Sequence, residues 1–201
     1  EIIPFSFSAK YGYLTSSPSK VGTGMSANVI FHFPALVMTR EMEKVVKFCH
    51  DNDLTLRGLY GEGTHGSADI YQVFNHFSLG ITEEEVVEKV SDVAPELIQW
   101  ERDARQDLVK RHKKELTSRI ERSLTLLKES KRISSEEALG YLSQVKMGVL
   151  LGLIDEVSCE QINELLLLTL PGHLQTIKGK EDSRVVRSSM RANYLQEKLK
   201  N

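Results

Sequence analysis

Beyond Glu101 the chain contains no segment in which polar and apolar residues alternate, the two-residue period that a half-buried strand requires. Every strong pattern there repeats at three and four instead: Leu116, Ile120, Leu124 and Leu127, then Leu139, Leu142, Val145 and Val149. Such stripes are the buried faces of packed helices. Runs rich in β-branched and aromatic residues are confined to the first half, over Tyr11–Thr15, Asn28–Phe33, Thr55–Tyr60 and Ile70–Phe77. Between the second and third of these, Arg40–Asn52 sets Met42, Val45, Val46 and Cys49 at helical spacing with charges opposite. The expected fold is therefore α+β: an antiparallel sheet with flanking helices over residues 1–102, followed by an all-α domain over 103–201. No low-complexity linker separates the two, which predicts a continuous helix across the boundary.

Local signals place the helix ends. Thr82 with Glu85 reads as a capping box, and the helix after it is expected to be interrupted at Pro95. Ser134 or Ser135 with Glu137 starts a second helix and Ser158 with Gln161 a third, which Pro171 and Gly172 should end. A last amphipathic helix is expected over Arg184–Leu199.

Charge and cysteine usage narrow the function classes. A net charge of -2 on 201 residues supplies no basic field of the kind needed to neutralise a phosphate backbone, so no nucleic-acid partner is expected. No apolar run approaches the roughly 20 residues of a membrane span. Cys49 and Cys159 lie far apart on apolar stripes, which suits packing in a reducing, cytoplasmic compartment. The six histidines show no ligand spacing, so no metal site is assigned. The chain opens directly on Glu1, Ile2 and Ile3 with no targeting pattern, and is expected to start inside a longer protein.

Three motifs carry the chemistry. YLTSSPSKVGTGM, from Tyr13 to Met25, is a Ser-, Pro- and Gly-rich turn whose backbone N–H groups can approach an anion. LRGLYGEGTHG, from Leu56 to Gly66, is a strand running into a glycine-rich loop, with Arg57 suited to phosphate oxygens and Glu62 to a guanidinium. Arg187-Ser188 followed by Arg191-Ala192 sets two cations four apart on the last helix. Taken in this order, together with IYQVFN from Ile70 to Asn75, the motifs resemble the phosphagen (ATP:guanido) kinase family, and in particular its bacterial protein-arginine kinase branch. The resemblance runs from about Phe5 through Arg105, with the last motif supporting it from the far end.

That resemblance implies transfer of the ATP γ-phosphoryl group to a guanidinium nitrogen of protein arginines, with Mg²⁺ travelling with the nucleotide. It implies catalytic roles for Arg57 and Glu62, Arg57 on phosphates and Glu62 orienting the target guanidinium. The nucleotide would lie along Ser26, Ala27, Asn28, Val29 and Ile30, and against Arg57, Gly58, Leu59, Tyr60, Gly61 and Glu62. Phosphoarginine would bind Arg187, Ser188, Arg191 and Ala192. Implied partners are protein substrates with exposed arginines, a McsA-like activator, a ClpC-type protease and a second copy of the chain.

Three departures qualify the implication. The family reads Cys-Pro-Thr-Asn where this chain has Ser17, Pro18, Ser19 and Lys20. The arginine usual at position 26 is Ser26, for which Lys20 is a candidate replacement cation. The acidic residue of the last motif is Ser188. An alternative reading follows: a catalytically degraded pseudokinase that binds phosphoarginine or oligomerises. Further active-site groups of the family lie on sequence upstream of Glu1, so the chain alone is expected to hold half a site and to turn over little.

Overall fold

The structure, a computed structural model, describes residues 4–59 and 66–200. Its chain divides into two compact units: one takes Glu1–Gly66 and Ile70–Ala104, the other Ser67–Asp69 and Arg105–Asn201.

The first unit contains a short antiparallel pair, β1 (Phe7–Ser8) with β2 (Gly12–Tyr13), and a three-stranded sheet. That sheet is built from β3 (Asn28–His32), β4 (Leu54–Gly58) and β5 (Ile70–Asn75), in the order β3-β5-β4 with both pairings antiparallel. Register follows from side-chain alternation, because a slip of one residue would turn the apolar set to solvent. Val73 faces Val29 and Leu56, and Gln72 faces Ile30 and Arg57. One face therefore buries Phe31, Leu54, Leu56, Tyr71 and Val73. The other leaves Asn28, Ile30 and Arg57 exposed, with Thr55, Gln72 and Phe74 half-buried.

Two helices connect β3 to β4: α1 (Pro34–Met38) and α2 (Met42–Asp51), the latter packing on β4. Helix α2 buries Val45 and Cys49 and half-buries Met42 while Glu43, Lys44 and Lys47 stay in solvent, but Val46, expected on the same stripe, is 36% exposed. Burial pushes the Cys49 thiol up to about 11. Helix α1 escapes any periodicity argument at five residues, and has Pro34 in its first turn and no side-chain cap of its own. Its first free N–H groups, on Ala35 and Leu36, donate to the two carboxylate oxygens of Glu101, each at 3.1 Å. That carboxylate is 4% exposed and serves as a remote cap, satisfying donors that would otherwise be orphaned.

Helix α3 (Glu83–Glu129) supplies residues to both units and opens with the expected box: Thr82 N–H donates to Glu85 Oε2 at 2.7 Å, and Glu85 N–H to Thr82 Oγ1 at 3.2 Å. The expected interruption at Pro95 does not occur. Pro95 and Ser91, the residue whose carbonyl loses its partner, are both exposed, so water can serve the freed carbonyl while Val93 and Leu97 stay packed. The departure from helical geometry falls instead at His112, with φ -132 and ψ 29.

The second unit is helical: the distal part of α3, then α4 (Ser135–Leu150), α5 (Cys159–Leu168), α6 (Pro171–Lys178) and α7 (Arg184–Leu199). Ser134 and Glu137 form a full capping box on α4, and the Ser158 hydroxyl accepts from Gln161 N–H on α5. Pro171 ends the run of α5 as expected, but it also begins α6, its fixed φ suiting a first helical turn. Ile120, Leu124 and Leu127 of α3 are buried with Leu139, Leu142 and Val145 of α4, Ile162 and Leu165 of α5 and Leu195 of α7. A Cβ built on Gly148 would stand 2.5 Å from Ile120 Cγ2, so glycine is what admits this close approach. Cys159 is half-buried at the start of α5, less enclosed than its stripe implied, because the first helical turn lies at the rim of the core. Among the described residues no helix is long and apolar enough to cross a membrane.

Candidate functional site

Arg57 sits on the open face of the sheet because it occupies the polar phase of β4, between inward-pointing Leu56 and buried Gly58. Its Nε and Nη2 donate to Gln72 Oε1 at 3.3 and 3.2 Å, and its guanidinium carbon lies 5.1 Å from the centroid of the Phe74 ring. Two residues of β5 thus hold the plane of the guanidinium in place. Ile30, 55% exposed, shares this face through Gln72, so β3 and β4 flank one surface.

Lys20 approaches the same ring from a different segment. It ends a single 3₁₀ turn, Pro18–Lys20, and its Nζ lies 5.4 Å from the Phe74 centroid while donating to Asn75 O at 2.7 Å. Burial lowers the pKa of this ammonium. Among the described residues neither Lys20 nor Arg57 is paired with a carboxylate.

The turn before β3 is held by one amide. Asn75 is 1% exposed; its Oδ1 accepts from Ala27 N–H at 3.1 Å, and the two hydrogens of its Nδ2 are shared among Met25 O at 3.3 Å, Phe77 O at 3.1 Å and Ser78 Oγ at 3.2 Å. Ser78 Oγ donates in turn to Met25 O at 2.9 Å. Gly22, at φ +114, completes the turn: a Cβ there would meet Ser78 O at 2.5 Å. Ser26, Asn28 and Ile30 emerge from this latch exposed, with Ala27 and Val29 half-buried between them. Leu59 is half-buried and its N–H donates to Ile70 O at 3.0 Å. Tyr60, Gly61 and Glu62 lie outside the described residues.

A second polar concavity belongs to the helical unit. Ser134, Ser135, Glu136, Pro171, Arg184, Arg187, Ser188 and Arg191 line a cavity of about 350 Å³. Arg191 is 2% exposed and rigidly held, with Nε donating to Thr169 O at 2.8 Å and Nη1 to Ile133 O at 3.0 Å. Burial, and then the neighbouring Arg187, lower its pKa. Arg187 is anchored from one nitrogen, Nη1, which donates to Glu181 O and Asp182 O at 2.8 and 2.7 Å. Ser188 Oγ donates back to Arg184 O at 3.0 Å, which leaves its lone pairs to accept. Ala192 is fully buried and stands outside the lining. Arg187 and Arg191 both line this cavity, and burial works against the charge of Arg191, so an anion against them is favoured.

Asn75, Gln72, Phe74, Ser134, Ser135, Glu136 and Arg184 escaped the sequence reading as site residues. The first three lie inside the IYQVFN run and the next three at a recognised helix start, but nothing in a linear pattern says which ligand-facing group each supports. Arg57, exposed, and Lys20, half-buried, are donor types suited to phosphate oxygens. Among the described residues no three His, Cys, Asp or Glu stand together.

Comparison with known proteins adds to the geometry. The ATP:guanido phosphotransferase C-terminal catalytic domain matches residues 1–104, and the protein-arginine kinase McsB C-terminal domain matches 113–201. The chain is 40% identical over 199 residues to the protein-arginine kinase of Halothermothrix orenii, covering 99% of this chain and 57% of that protein. It is 40% identical over 200 residues to that of Bacillus pumilus, covering 100% of this chain and 55% of the relative. The chain thus spans a little over half the length of these relatives. Among solved structures, the duplicated taurocyamine kinase from Schistosoma mansoni with bound transition state analog components matches 49% of this chain and 14% of its own, at 34% identity and a TM-score of 0.44.

Proposed function

The chain belongs to the ATP:guanido phosphotransferase family, and from that premise we propose that the whole protein phosphorylates arginine residues of other proteins with ATP, this chain supplying one side of the active site. ATP, bound with Mg²⁺, supplies the phosphoryl group. The observation that carries the reading is Arg57: a cation held in plane by Gln72 and Phe74 on an open sheet face, without a carboxylate partner among the described residues. Such a group is pre-positioned to neutralise charge on a transferring phosphoryl, which is most of what a protein contributes to this class of reaction. Asn75 holds the turn before β3, so that Ser26, Ala27, Asn28, Val29 and Ile30 form the opposite edge of the nucleotide surface. Glu62 orients the target guanidinium by paired hydrogen bonds and accepts one of its protons as the N–P bond forms and the bond from the γ-phosphorus to the β–γ bridging oxygen breaks, releasing ADP.

The second half of the proposal is that the Arg187, Ser188 and Arg191 cavity takes phosphoarginine, its phosphoryl oxygens on the two guanidinium groups. A McsA-like activator, a ClpC-type protease and self-association belong to this proposal as partners. A second reading, a degraded kinase that only binds phosphoarginine, draws support from the neutral Ser26 at the nucleotide edge.

Labelled ATP, an unfolded acceptor protein and the full-length protein test the two. Acid-labile label on acceptor arginines is expected, falling by about two to three powers of ten in Arg57→Ala. Absence of label, with phosphoarginine still bound, would overturn the first reading in favour of the second.

A further inference from the structure

We infer that Lys20 is a second phosphate-binding cation, acting with Arg57 across Phe74 on the open face of β5. The inference rests on the nucleotide reading above and names a residue that reading does not use.

Phe74 lies on the central strand, and both cations stand within 5.4 Å of its ring centroid. Gln72, Arg57, Phe74 and Lys20 thus form one row along a single sheet face, with exposed Asn28 beside Phe74 on β3. An ammonium has three donors, and Lys20 spends one on Asn75 O. Arg57 spends Nε and Nη2 on Gln72, leaving Nη1 free among the described residues. The two cations share one ring, Lys20 Nζ at 5.4 Å and the Arg57 guanidinium carbon at 5.1 Å from its centroid. Partial burial of Lys20 adds a desolvation penalty that no described carboxylate repays. A chain of phosphates laid along the row would offset that penalty, reaching Arg57 at one end and Lys20 at the other. Position matters as much as charge: the 3₁₀ turn carrying Lys20 runs directly into Gly22, whose close approach to Ser78 pins it to the same latch that sets the β3 edge. The cation is thereby fixed relative to β3 as well as β5.

A purely structural role, tethering the turn to Asn75 O, is the competing account. The two part in how a substitution responds to the number of phosphates. In the full-length protein, equilibrium binding of ATP, ADP and adenosine is measured for the wild type, Lys20→Met and Lys20→Arg at low and high salt. Lys20→Met is expected to weaken ATP and ADP by about tenfold, to leave adenosine within twofold, and to flatten the salt dependence of ATP binding. Lys20→Arg, which keeps the charge, is expected to hold ATP within threefold of the wild type. Equal binding of ATP by Lys20→Met and wild type overturns the inference while leaving the nucleotide site intact. Equal weakening of adenosine and ATP assigns Lys20 to tethering and overturns it as well. A wild type that binds no nucleotide overturns the parent reading along with it.

Discussion

Asn75→Ala removes a side chain that is 1% exposed and has four hydrogen-bond partners, three of them sharing two amide hydrogens, and its cost can be worked group by group. Met25 O keeps the Ser78 hydroxyl at 2.9 Å, so that acceptor stays satisfied. Ala27 N–H and Phe77 O lose the partners named here. A buried group left unpaired costs about 1–3 kcal/mol, and Ala27 is only half-buried, so water reaches part of the gap. The expected loss is about 2–4 kcal/mol, read as a lower urea midpoint at unchanged m. Nucleotide affinity should fall with it, because Met25–Ala27 is no longer held. Asn75→Asp sharpens the test. It keeps the acceptor for Ala27 N–H but turns an oxygen toward carbonyls that had a donor, which raises the folded-state pKa of the new carboxyl. A raised pKa means its best stability lies below the unfolded value and is lost as pH rises through the folded one, so this variant should be relatively least stable at neutral pH. Asn75→Ala within about 0.5 kcal/mol of wild type would refute the latch.

Glu101→Ala leaves the N–H groups of Ala35 and Leu36 without their acceptor and should cost about 2–4 kcal/mol; loss of less than 1 in chemical denaturation would mean water caps α1 equally well. In the native protein at pH 8 a thiol reagent should modify Cys159 and spare Cys49, whose thiol is buried and pushed up to about 11, with both reacting in denaturant. Hydrogen bonds to Ser134 depress the Glu137 pKa, so this group stabilises α4 above its unfolded pKa and the contribution fades as pH falls through the lower folded one. Glu137→Gln should therefore flatten the acid side of a stability–pH profile.

Where a feature depends on neighbours in sequence, it was legible. Ser134 with Glu137 and Ser158 with Gln161 announced α4 and α5 because a cap hydrogen bond spans three residues. The restriction of strands to the first half, and so the α+β class, followed from the period of apolar residues alone. Proline misled at Pro95 and told only half the story at Pro171, which ends α5 as expected. Pro95 passes through α3 because solvent and flanking packing absorb its missing donor, and Pro171 starts a helix as well as ending one. Helix α1, at five residues, is too short for any periodicity to register.

The amino-acid order by itself determined which segments are amphipathic, with what period, where most helices begin, and which cations are available: these are local properties, carried by propensity, alternation and capping over a few residues. Only the tertiary structure decided what those groups hold. Asn75 latches residues 48 and 50 positions away, Glu101 caps a helix 65 positions upstream, and Arg191 joins carbonyls 22 and 58 positions distant. A buried polar group must find a partner or forfeit its hydration, and across such separations the partner is chosen by packing, which no local pattern records.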